Sequence, residues 1–267
     1  MEFLKLIKRR SFIHEVIYIA LNAGLAVILM LIIQFTNSPW LAFALVLISM
    51  WRIFAVRPRF WIANILANLV SIIIGISFVV LLYAVNPIDV GDLQSIVPRL
   101  VLTVLYICWL LLLKPKSKRV YVILQSSVAL FVGVTALYTM SYSWLALPTV
   151  LFMWIIGFAT ASHILSSYDE ENHTTLLSLI WGLVLSEIGW LAYHWTIAYR
   201  LPYSKNLLLP QISIISLCLG FLVYKSYDSY HHHQKIRFND IILPLIFTIG
   251  IICALLLIFN GVSTNVI

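Results

Sequence analysis

Apolar runs of about twenty residues, the length a helix needs to cross a bilayer, recur along almost the whole chain. Stretches such as "LNAGLAVILMLIIQF" and "SIIIGISFVVLLYAV" hold no charge, and a backbone in hydrocarbon must satisfy its own hydrogen bonds. That leaves a helical bundle. Reading the runs between polar breaks gives nine spans, at 16–35, 39–56, 60–84, 96–113, 120–140, 143–165, 174–198, 207–224 and 240–259. The expected class is therefore an all-α, polytopic integral membrane bundle of about nine transmembrane helices. No stretch is long and polar enough for a separate soluble domain, so residues 1–267 form a single transmembrane domain.

Apolar residues make up 62% of the chain and charged ones 10%, with a mean hydropathy of +1.01. A soluble domain carries about 25% charge. The net charge of +7 raises the question of nucleic acid, and its placement answers it. With the amino terminus cytoplasmic, Lys5, Lys8, Arg9, Arg10, Arg52, Arg57, Arg59, Lys114, Lys116, Lys118, Arg119, Lys225, Lys235 and Arg237 fall inside. Only Arg99, Arg200 and Lys205 fall outside. This is the positive-inside pattern. It makes anionic lipid headgroups at the cytoplasmic face the counter-charge, and no nucleic acid is implied. The expected location is the cytoplasmic (inner) membrane, multi-pass.

"MEFLKLIKRRSF" starts like a signal peptide, but the apolar run after it is too long and lacks a small-residue cleavage site. An uncleaved first helix is expected. Cys108, Cys218 and Cys253 lie within spans without paired spacing, and read as small core residues. The outside loop 86–99 has Pro87, Gly91 and Pro98 as breakers. The loop 225–240, "KSYDSYHHHQKIRFND", is the most polar stretch. Its His231, His232 and His233 lack the converging ligands a metal needs, so no metal site is expected.

"WLAFALVLISMW" (40–51) and "WLALPTVLFMW" (144–154) echo each other. The echo suggests two parallel four-helix halves, 1–115 and 116–225, with an additional helix at 240–259.

Of the ten acidic residues, only Glu187 sits near the middle of a span. A charge there costs at least about 2.5 kcal/mol, so the side chain should face the protein interior or a hydrated cavity. His194 lies two turns on, on the same face, with Trp190 between them. Two readings stand: a proton- or ligand-binding stripe, or a set of groups hydrogen-bonded to neighbouring helices. About a quarter-turn away, Gly182, Ser186 and Gly189 form a small-residue strip that admits another helix closely. Asn64, Asn68, Ser71 and Gly75 make a second polar stripe on the third span, and buried amides need partners. If the halves repeat, the two stripes face a common centre. Both inter-helix glue and a substrate path remain open for it.

No phosphate-binding loop, nucleophile–base pair or metalloprotease motif occurs. Neither enzymatic activity nor a cofactor is expected. A basic amino terminus leading into "LNAGLAVILMLIIQF", the turn "NSPW", and "WRIFAVRPRFW" before a Gly-containing third helix order the first 85 residues. This order resembles the membrane half of the fusaric acid resistance and aromatic acid exporter proteins. The resemblance implies proton-linked export of small organic acids, but no substrate residue of that family matches a position here. Two functions follow as expectations. One is a secondary transporter or exporter of a small polar or organic-acid solute, coupled to protons through Glu187. The other is a non-catalytic membrane anchor or assembly subunit, with a membrane protein or a second copy as partner.

Overall fold

A computed structural model describes residues 2–85, 93–141, 144–168, 171–195, 197–200 and 207–259. Among these residues the chain forms nine helices: α1 (Glu2–Thr36), α2 (Trp40–Ser49), α3 (Trp61–Ala84), α4 (Leu93–Cys108), α5 (Arg119–Met140), α6 (Ala146–Leu165), α7 (Thr174–His194), α8 (Gln211–His233) and α9 (Phe238–Cys253). Seven of them are long and apolar enough to cross a membrane. Wider π-type turns, Trp109–Leu113 and Ala254–Ile258, extend α4 and α9.

Two of the expected spans take other forms. α2 is only ten residues long, breaking at Met50 into the 3-10 turn Trp51–Ile53 and, after Arg57, a second one at Pro58–Phe60. Pro58 lacks the N–H a continuing helix needs and biases Arg57 toward extended backbone; Arg57 has ψ 140°. α8 does not stop at Tyr224. It runs on to His233 and ends at Gln234 with φ 53°, and α9 starts at Phe238, so only residues 234–237 of the expected polar loop are not helical. Between α7 and α8 lies a feature absent from the sequence reading. It is a two-stranded antiparallel pair, β1 (Ala198–Arg200) and β2 (Leu208–Pro210), with Ala198 opposite Pro210. Pro98, expected to be a helix breaker in the outside loop, lies inside α4. The loop expected at 86–99 falls partly outside the described residues.

The apolar core forms two clusters. One gathers α1 to α4 around Leu29, Val46, Ile74, Leu82 and Tyr106. The other gathers α5 to α8 around Val134, Met153, Ile156 and Leu185. α3 joins them by packing on α5 and α6. α9 rests chiefly on α8 and is mostly exposed, with Leu243 and Leu257 at 76% and 80%. An apolar surface of this kind suits contact with lipid tails. Of the three cysteines only Cys218 is a core residue; Cys108 and Cys253 are exposed, because their helix faces turn outward.

The closest helix contact is α6 on α7. A Cβ placed on Gly157 would come within 2.9 Å of the Gly182 Cα, and one on Gly182 within 2.9 Å of the Trp154 carbonyl oxygen. Gly189 leaves room for Met153 and for the Tyr138 hydroxyl, which donates a 2.6 Å bond to the Gly189 carbonyl. Without a hydrophobic drive between helices in lipid, such close backbone packing and inter-helix hydrogen bonds carry the association. Gly157→Val should therefore destabilise the detergent-solubilised protein by about 1–3 kcal/mol, since backbone cannot rotate away as a side chain can. Gly250→Ala, on an exposed face of α9 with open space around it, should be neutral or slightly stabilising. Thermal unfolding of the two variants checks the pair.

Candidate functional site

The small-residue strip of α7 sets the placement of the sequence-derived candidates. Gly182, Ser186 and Gly189 are all buried against α6. This docking fixes the rotation of α7, and at about 100° per residue it carries Glu187 round to the opposite side. Glu187 is exposed, between Leu183 (55% exposed) and Leu191 (58%). The expectation that it turns inward is thereby corrected. Glu187 stands about 100° to 160° round the helix from Ser186, Gly182 and Gly189, more than the quarter-turn read from the sequence, and this takes it out of the bundle. Trp190 and His194 are exposed on the same side, their rings 5.0 Å apart and edge-on. Among the described residues Glu187 has no hydrogen-bond or ion-pair partner.

The stripe on α3 goes elsewhere. The Asn64 amide donates a 2.6 Å bond to the Ile53 carbonyl, and Asn68 donates at 2.8 Å to the Asn64 carbonyl. Ser71 is half-buried. Gly75 is buried where Val46, Met50 and the Tyr106 hydroxyl close in. Asn64 thus holds the carbonyl that the break after α2 leaves free, tying α3 to the segment before it, while the Asn68 bond stays within α3. The common centre expected for Asn64, Asn68 and Glu187 does not form, because Asn64 and Asn68 are engaged by the Ile53 and Asn64 carbonyls while Glu187 is exposed.

The structure instead draws attention to a cleft that the sequence did not reveal. α7 and α8 barely touch. α5 and α6 form the floor between them, and two apolar hollows of about 370 Å³ each lie along the gap. The hollow nearer α5's first residues is walled by Ile180, Val184, Leu217 and Phe221, with Ser126 and Thr160 among the floor residues. The second runs from Ile188 to Trp195 on α7 and meets Gln211 and Ile215 of α8. Ser126 is 1% exposed and its hydroxyl has no hydrogen-bond partner. Its neighbours behave otherwise, since Ser127 donates to the Ile123 carbonyl and Thr160 to that of Ile156. An unmade bond on a buried hydroxyl costs about 1–3 kcal/mol.

At the Arg119 end of this hollow stands a polar and aromatic cluster. The Arg119 guanidinium pairs with Asp228 and lies 3.9 Å from the Tyr168 ring centroid. The Tyr168 hydroxyl donates to Asp228 at 3.1 Å, and burial pushes that phenol above its usual value. Tyr227 donates to Glu171. Deeper in, Gln125 donates to the Leu113 and Lys116 carbonyls and meets His163 at 2.9 Å. The sequence signal was present, as Arg119, Asp228 and the tyrosines of "YKSYDSY" are polar groups at span ends. Only the continuation of α8 beyond the apolar run brings them together.

No known protein family, curated protein or solved structure matches this chain.

Hydrogen bonds from Tyr227 and the His173 backbone N–H hold the Glu171 carboxyl below the ordinary carboxylate range. A lowered folded value means that the bond stabilises above the unfolded pKa of about 4.3 and is lost as pH falls through the lower folded one. Tyr227→Phe should bring the Glu171 titration, followed by infrared carboxyl bands, back toward 4.3. It should also reduce the loss of stability as pH falls below about 4.3.

Proposed function

We propose that the chain is a multi-pass protein of the cytoplasmic membrane, amino terminus inside, that works as a non-catalytic assembly or anchor subunit. Its partner is a second membrane protein that covers the outer face of α7. The orientation rests on the basic residues of the expected inside segments. The observation that carries the function is Glu187, an exposed carboxylate halfway along an apolar helix. A group like this is costly in hydrocarbon, by about 2.5–3.5 kcal/mol, and a partner helix with a donor or cation at the same depth removes the cost. Trp190 and His194 extend the face toward the end of α7 and offer it an aromatic and a polar contact.

Proton-linked export keeps the support of the resemblance in residues 1–85, but it loses the inward-facing acid that motivated it. The two functions separate in one experiment. Tagged chain purified in mild detergent should retain a partner in fixed stoichiometry, and cysteines at Leu183 and Leu191 should crosslink to that partner. Glu187→Leu should weaken retention about 100-fold while leaving the Tm of the isolated chain unchanged, because Glu187 supports no contact within it. A wild-type chain that is monomeric and uncrosslinked, or solute export that Glu187→Gln abolishes without altering assembly, overturns the assembly function.

A further inference from the structure

We propose that the partner covering the outer face of α7 is a second copy of this chain, the two α7 helices lying parallel across a twofold axis with Glu187 against Glu187. The pairing rests on the assembly function and gives it its partner. The face that pairs is a single stripe. Leu176, Ile180, Leu183, Glu187, Trp190 and His194 are all exposed, and they follow one another at alternating steps of four and three residues. At 100° and 1.5 Å per residue the stripe is about 80° wide and about 27 Å long. This alternation is the spacing of the seam between two paired helices. On the opposite side of α7, Ser178, Gly182, Leu185 and Gly189 repeat it with buried residues, and α6 takes that side.

Lipid tails suffice for the other outward faces. α9 turns Leu243, Ile246, Phe247 and Leu257 outward, and all are apolar. The α7 stripe differs at its middle and outer end. Among the described residues, Glu187, the Trp190 N–H and the His194 imidazole have no hydrogen-bond partner, and hydrocarbon offers them none.

The chemistry of the stripe selects a second copy over a chain of different sequence. A twofold axis sets each residue near it against the same residue of the other copy, at the same depth. Every group here is compatible with its own image. A protonated carboxyl donates to a carboxylate, so two Glu187 side chains bond each other by sharing one proton. A neutral imidazole has one donor and one acceptor nitrogen, so His194 can bond His194. Indole rings of Trp190 can stack offset or edge to face. Lysine or arginine would repel its image, and α7 contains neither. A different chain would need a donor placed at the depth of Glu187, whereas a second copy supplies it by symmetry. One ionisable residue in the middle of the seam also fixes the register, because a slip of one turn leaves both carboxyls in hydrocarbon.

The test uses the full chain carrying either of two tags, coexpressed and extracted in mild detergent. Cys108 and Cys253, the exposed native cysteines, are replaced by alanine. Pull-down on one tag should recover the other. Glu187→Gln, whose amide both donates and accepts, should stay within about threefold of wild type, and Glu187→Leu should lower recovery about 100-fold. Glu187→Lys should lose self-recovery as fully, yet pair with a chain that keeps Glu187, a rescue that also shows the variant is folded. Under oxidation Leu176→Cys and Leu183→Cys should each crosslink to the same position of the other copy. The mixed pair of 176 with 183, offset by about 10 Å, should crosslink about tenfold less. Leu257→Cys on α9, a position 80% exposed, should not crosslink. Recovery of a different membrane protein and no second copy overturns this pairing and leaves the assembly function standing. A chain that retains neither overturns both. A second copy recovered equally well by Glu187→Lys alone, or crosslinked from position 257 as efficiently as from 183, overturns the pairing because the copies then meet elsewhere.

Discussion

The contact between Gly157 and Gly182 governs the carboxyl-terminal half of the molecule. Two helices can approach this closely only where neither carries a Cβ, and in a bilayer close packing replaces the hydrophobic drive that water would supply. Once α6 and α7 are locked backbone to backbone, α7 has no rotational freedom left. Its small residues face α6, its long apolar residues form one wall of the cleft, and Glu187 faces away from the bundle. α8 is held by α5 instead, through the Thr135 hydroxyl on Ser213 and the seat of Gly220 beside Leu130. The cleft is the gap between two helices that are anchored to different neighbours.

Much of the fold was legible in the sequence because the bilayer imposes one length and one secondary structure on each apolar run. The helices α3, α5, α6 and α7 follow the expected spans to within a few residues. What was not legible depends on local polar chemistry that hydropathy averages away. α2 gives way at Met50 to a 3-10 turn, "RPR" keeps the chain from resuming that helix, and the free carbonyl of Ile53 recruits Asn64. α8 outruns its apolar segment because "KSYDSYHHH" is a good amphipathic continuation once Asp228 has Arg119 to meet. The strand pair between α7 and α8 is three residues a side, too short for any periodicity to register.

The candidate site was legible in its residues and not in its geometry. Gly182, Ser186 and Gly189 were readable as a packing strip, and Glu187 as an anomaly in hydrocarbon. Which of the two would face the core depended on a partner helix that no single sequence window contains. The asparagine stripe shows the same limit. Its amides need acceptors wherever they point, and only the break after α2 supplies one nearby. Ser126 was visible only as a serine in a span; its missing bond is a property of the folded neighbourhood.

α9 differs from the other spans in its dependence on the body. Its described contacts run chiefly to α8, including the Thr248 hydroxyl on the Cys218 carbonyl at 3.3 Å, and most of its surface faces outward. During synthesis the other eight helices can complete their packing before Phe238 emerges, and α9 then adds to a finished wall. A helix docked last, on one neighbour, contributes little to the order in which the rest assembles.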